Sequence, residues 1–126
     1  MDNTILIMAC IQLLNIEKPV EVVYKVKARN SMKTVAAYCW DTRRKGNLVK
    51  FRLVLNTTVM IEAEYDSATI IAHEMIHAKM IEDGSFNPNN HHCRRFQAIS
   101  RELQKNLVKL GFKVGKLYTP ETGDAG

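Results

Sequence analysis

Proline and glycine are scarce in this 126-residue chain, three of one and six of the other. No internal repeat, low-complexity tract or second domain can be read in it. At 46% hydrophobic content a chain of this length suits one domain around one core. Cysteine is sparse as well: Cys10, Cys39 and Cys93 form no CxxC pair and no even framework. That excludes a disulfide scaffold and points to a reducing compartment. Long apolar runs are missing too. Ile5 to Leu14, interrupted only by Gln12, falls far short of a membrane span. Asp2 stands where a signal peptide wants positive charge, and no small-residue cleavage site follows. The expectation is an intracellular protein, cytoplasmic or, in a eukaryote, nuclear, acting as a monomer with no membrane partner.

Acidic residues are thin at one end. Residues 93–116 hold Arg94, Arg95, Arg101, Lys105, Lys109, Lys113 and Lys116 against Glu102 alone, a net +6, while the remainder carries 11 basic and 12 acidic groups. The basic surface is therefore a C-terminal feature. It suits an acidic partner such as DNA, with Arg94, Arg101, Lys105 and Lys109 as candidate contacts; a merely solvated helix face has the same composition.

What is present in strength is the stretch Asp66 to Asp83, DSATIIAHEMIHAKMIED, with His73, Glu74 and His77 in the order HExxH. On a helix, histidines at i and i+4 leave one face a turn apart and can converge on one metal ion. Glu74, one residue on from His73, stands beside that ion, where a base would take a proton from activated water. Asp66 or Ser67 can cap the start, Asp83-Gly84 can close the end, and no proline or glycine interrupts. Ile70, Ile71, Ala72, Met75, Ile76, Ala78, Met80 and Ile81 surround the histidines, as in a helix buried at the centre of a domain. The alternative for two such imidazoles is a pair of core histidines bonded to backbone carbonyls.

Around this helix the chain predicts a packing helix over Asp2 to Ile16, capped by Asp2 or Asn3 and ended by Lys18-Pro19. Strands follow over Val20 to Ala28, Thr34 to Thr42 and Leu48 to Asn56, the last two joined by Arg43-Arg44-Lys45-Gly46-Asn47 as an antiparallel hairpin. Thr57 to Tyr65 is a connection with room for a short helical turn, and SFNPNNHH after Gly84 is a loop by composition. A helix over Cys93 to Leu110 ends at Gly111 as C-cap. The fold class is α+β, one domain over 1–116, with 117–126 a mobile tail.

A catalytic zinc site takes three protein ligands and keeps a fourth position open. The adjacent His91 and His92 are the candidates for the third. Around the axis of the last helix, Phe96, Ile99, Leu103, Leu107 and Leu110 fall within about 80° of one another. Projected back, His92 lies inside that apolar arc, provided helical geometry begins by residue 92. His91 falls toward Arg94 and Arg101, at solvent or the cleft rim, and is kept as a possible accessory group. Cys93 is a lesser option as a thiolate, Glu102 lies toward the polar side, and Met80 and Asp83 break the metzincin spacing.

HEMIHA at 73–78, a loop of about fourteen residues and HCRRF at 92–96 together resemble the SprT-like zinc metallopeptidases, the family that includes Spartan. Its pattern is HExxH followed by a distal H-G-x-x-F, and RLVLN at 52–56 is similar to its strand ending in a leucine-asparagine pair. The similarity covers roughly residues 1–112. It implies a small zincin-like domain: an N-terminal helix, a three-stranded mainly antiparallel sheet, the HExxH helix, and a C-terminal helix carrying the third ligand. It implies one Zn²⁺ on His73, His77 and His92, Glu74 as general base, and cleavage of proteins, notably those attached to DNA. Cys93 departs from the family's glycine, and the sequence carries no cysteine-rich zinc ribbon of the kind many members append. A zinc-stabilised module that binds DNA or protein and cuts nothing is the alternative function, and a zinc hydrolase of non-peptide amides a third.

Overall fold

The computed structural model describes residues 3–26, 37–62 and 66–118. Helix α1 spans Thr4–Leu14 and buries Leu6, Ile7, Cys10 and Leu14, a spacing that puts one stripe on the core. Asn3 sits at the N-cap position but its side chain makes no capping bond, and Asp2, the other candidate, lies outside the described residues. The helix stops well before Lys18-Pro19. Asn15 turns into the left-handed region at φ 58, and the Ile16 N–H bonds back to Ile11 O at 3.0 Å.

Three strands follow: β1 (Val20–Lys25), β2 (Ala37–Arg44) and β3 (Asn47–Asn56), in the spatial order β1-β3-β2. The hairpin is antiparallel as the sequence suggests. Its two turn residues, Lys45 and Gly46, both have positive φ (53 and 81), matching the right-handed twist of the strands. β1 pairs with β3 in parallel, from Val20 opposite Phe51 to Lys25 opposite Asn56, so the sheet is mixed and only its hairpin half antiparallel. Period-two alternation tells which face is buried but carries no information about strand direction or neighbour. β3 takes the central place because it is the most apolar strand, with Phe51, Leu53 and Leu55 buried. The outer ends of the expected strands, 27–28 and 34–36, lie outside the described residues.

The Asn56 side chain accepts the Val59 N–H at 3.3 Å and so opens the short helix α2 (Thr57–Glu62). Helix α3 (Ser67–Glu82) is the hub, packing on β2, β3, α1 and helix α4 (Arg94–Lys109). It is buried almost all round, from Thr69 to Ala78 and again at Met80. Its last residue anchors a distant link: the Glu82 carboxylate accepts the Glu17 and Lys18 N–H groups at 2.9 and 3.0 Å, tying the α1–β1 connection to the helix end. Helix α4 lays Phe96, Ser100, Leu103 and Leu107 on the core. No described helix is long and apolar enough to cross a membrane.

Residues 110–118 stay against the body after α4. Val114 and Leu117 are buried, Gly115 N–H donates to Thr69 Oγ1 at 3.0 Å, and the Tyr118 ring packs 5.4 Å from that of His92. The expected edge of the domain at 116 thus falls short: Leu117 and Tyr118 belong to the packed body. Residues 119–126 lie outside the described residues.

Candidate metal centre

Asp66 sets the register of α3. Its side chain accepts the Ala68 N–H, as the sequence suggests for an N-cap, and also takes the Thr69 hydroxyl. Two turns on, His73 and His77 project from one face, with ring centroids 5.1 Å apart. The helix ends at Asp83 and Gly84 (φ +77), a turn that only glycine makes without strain. The loop that follows is fastened at its base. Asp83 accepts Ser85 N–H at 3.1 Å and Arg95 Nη2–H at 2.6 Å, and Arg95 Nε–H donates to Ser85 Oγ.

That fastening brings His92 back over α3. His92 lies in a turn before α4, which starts at Arg94 with Cys93 as N-cap, so the helical geometry assumed in projecting it backwards is not what places it. Gln97 does so instead, donating from Nε2 to His92 O at 2.9 Å. The ligand-type atoms of His73, His77 and His92 all lie within 4.8 Å of one another, and among the described residues they are the group of three that could hold an ion. Phe96, fully buried, is their common floor, with ring centroids 4.9, 4.7 and 4.8 Å from those of His73, His77 and His92.

The donors point the right way for a metal. A carbonyl can only accept, so the 2.6 Å contact between His73 Nδ1 and Leu117 O puts the proton on Nδ1 and leaves Nε2 unprotonated. That Nε2 lies 3.1 Å from His92 Nε2. Tetrahedral ligands about 2.0–2.1 Å from one ion sit about 3.3 Å apart, so this pair is nearly at ligand spacing. Burial, helped by His91, holds His92 below the usual histidine range and so favours the neutral, ligating form.

Glu74 is buried against the edge of the sheet. Its carboxyl takes the backbone N–H of Cys39 on β2, while Oε2, 4.0 Å from His73 Nε2, accepts no hydrogen bond from the described residues. Burial pushes this carboxyl well above its ordinary range, and the Cys39 amide offsets it only in part. A cation on the neighbouring imidazoles would supply the missing positive field. Three imidazoles and an orphaned buried oxygen therefore fit a divalent ion with one open side.

A cleft of about 560 Å³ opens beside Glu74 and His77, walled by Tyr38, Cys39, Asp41 and Arg43 of β2 and by Ile81, Phe86 and His91 across from them. His91 rims this cleft, exposed, its ring 6.3 Å from His77, and is not in the triad. Cys93 and Glu102 are not in it either. Arg94, Arg101, Lys105 and Lys109 are exposed on α4, spread along the helix. Three contributors escaped the sequence: the Cys39 amide, the Leu117 carbonyl and the Gln97 amide. The first two are backbone groups and leave no mark in the side-chain pattern.

Fold and site define a candidate metal site of the HExxH kind, its third imidazole delivered by a separate segment. A model of the SprT-like family matches residues 11–116, and the chain belongs to that family. Comparison with curated proteins and with solved structures gives no significant match.

Proposed function

We propose that this protein is a zinc-dependent endopeptidase, with Glu74 as general base and acid and with His73, His77 and His92 as the metal ligands. One observation carries the reading: a carboxyl with an orphaned buried oxygen stands between a three-imidazole cluster and an open cleft. A purely structural ion has no use for such a group. Zinc held there would act as a Lewis acid, making water a nucleophile near neutral pH and polarising the scissile carbonyl.

The chain's own residues do the rest. Glu74 Oε2 takes the proton from the attacking water and later returns it to the departing amine. The Cys39 amide holds the other side of the carboxyl so that Oε2 faces the reaction. The His73 tautomer is fixed by Leu117 and the floor by Phe96. Along the cleft, β2 is an edge strand, and an extended substrate can add to it beyond Cys39, near Asp41 and Arg43. Proteins bound or crosslinked to DNA are the proposed substrates, on the strength of the family and the basic surface of α4.

The test is Glu74→Gln. The variant should bind zinc like the parent, by competition with a chromophoric chelator, and lose cleavage of a basic DNA-binding protein. Retained turnover refutes the mechanism. The exposed cations Arg94, Arg101, Lys105 and Lys109 favour a second reading, a zinc-stabilised module that docks on DNA without cutting. Steeply salt-dependent DNA binding with no proteolysis at any zinc level would select it.

A further inference from the structure

A second cleft, of about 330 Å³, lies on the far side of the third ligand, between α4 and the segment after it. Among the described residues its charged lining groups are Arg101 and Lys116, both cations, with no carboxylate beside them. Among the described residues neither cation has an ion-pair partner. Both are exposed, and an anion between them would offset their mutual repulsion. Gln97, Ser100, Gln104 and Tyr118 supply the other polar groups. Ser100 is 4% exposed and its hydroxyl donates to Gln97 O, so it forms a fixed part of the cleft floor.

We propose that this cleft is a phosphate-binding site. A volume near 330 Å³ sits at the small end of ligand pockets, roughly 300–1,000 Å³. A single carboxylate would balance one of the two cations; a phosphate balances both, with the Arg101 fork taking two oxygens and Lys116 acting as a point charge. The phosphate is either free inorganic phosphate or a unit of a nucleic-acid backbone. In the second case Tyr118 offers a ring on which a neighbouring base can stack.

The cleft shares its walls with the metal centre. Gln97 donates to His92 O at 2.9 Å, Leu117 O receives His73 Nδ1–H, and Gln104 Nε2–H reaches Val114 O at 3.4 Å. A phosphate here therefore touches the groups that orient two of the three imidazoles. Resting on the metal reading above, occupancy of the cleft tightens metal binding, and metal tightens phosphate binding by the same factor.

The experiment uses the full chain, metal-free, titrated by NMR with inorganic phosphate and separately with a short oligothymidylate. Saturable shifts at Gln97, Arg101, Gln104 and Tyr118 are expected. Arg101→Gln/Lys116→Gln should weaken them at least about tenfold, as expected when charge-assisted hydrogen bonds are removed. Lys105→Gln/Lys109→Gln takes the same charge from α4 outside the cleft and should weaken them far less. Saturation by phosphate assigns a free anion; saturation by the oligothymidylate alone, lost in the first double variant, assigns a backbone phosphate. Equal weakening by both double variants, or no saturable shift with either probe, overturns the site. Zinc affinity of the same samples, measured separately, keeps the two readings apart: a chain that takes zinc but neither probe loses this cleft and keeps its metal centre.

Discussion

Ending the chain after Lys116, where the family match also ends, should damage the metal centre as well as the fold. Leu117 is 1% exposed and packs in the core, and its carbonyl takes the His73 Nδ1–H at 2.6 Å. Losing the buried side chain removes about 2–3 kcal/mol of apolar burial. Losing the acceptor of a buried imidazole adds about 1–3 kcal/mol. A domain of this size has roughly 5–15 kcal/mol to lose, so the truncated chain should still fold, less stably by about 3–6 kcal/mol in urea. The specific signature is in the metal. Removing an outer partner of a ligating imidazole weakens binding about 10- to 100-fold. Leu117→Ala separates the two effects, because it keeps the carbonyl: stability should fall about 2–4 kcal/mol while zinc affinity stays within a few-fold. A chain ending at Tyr118 is the control for residues 119–126. If the chain ending at 116 binds zinc as tightly as that control, the carbonyl does not orient His73 and the argument fails.

In the metal-free protein, burial holds the Glu74 carboxyl above its unfolded value. Its contribution to stability is therefore full below about pH 4.3 and is lost as pH rises through the folded value. Glu74→Gln should flatten that stretch of the urea-midpoint profile, and an unchanged profile would contradict the burial of the carboxyl. Phe96→Ala should destabilise by about 3–5 kcal/mol and scatter the three imidazoles, lowering zinc affinity; Phe96→Leu should be milder on both counts. At Asp83, burial raises the carboxyl, but the Ser85 hydroxyl, Arg95 and the Ser85 amide together outweigh it and hold it below its usual range. Its contribution is present above the unfolded value and lost as acid carries pH through the folded one. Arg95→Ala should reduce that acid sensitivity and speed proteolytic nicking between 84 and 92, with a stability change of at most about 1 kcal/mol.

The placing of His73, Glu74 and His77 side by side was legible because it depends on spacing along one helix, and spacing is what a sequence records. The apolar arc of α4 favours His92 over His91, and it is His92 that lies beside His73 and His77, although the residue sits in a turn and is held by Gln97. The arc worked because Phe96, one turn into the helix, both belongs to it and forms the floor beneath the imidazole. The hairpin was legible through its turn, whereas the place of β1 was not, since alternating residues do not encode parallel pairing. Leu117 stands among Lys113, Gly115 and Lys116 and looks like a stray apolar residue before a polar end. Its partner in the metal centre is 44 positions away, and the group that matters is its backbone oxygen.

The Glu82 carboxylate, clasping the amides of Glu17 and Lys18, works as a hinge pin that has been welded. With the entry to β1 locked to the end of α3, and β2 held to the same helix through Cys39 and Glu74, the sheet side of the cleft behaves as a fixed jaw. On the endopeptidase reading proposed above, admitting a bulky chain would fall to the opposite jaw, residues 84–92, which carries neither helix nor strand.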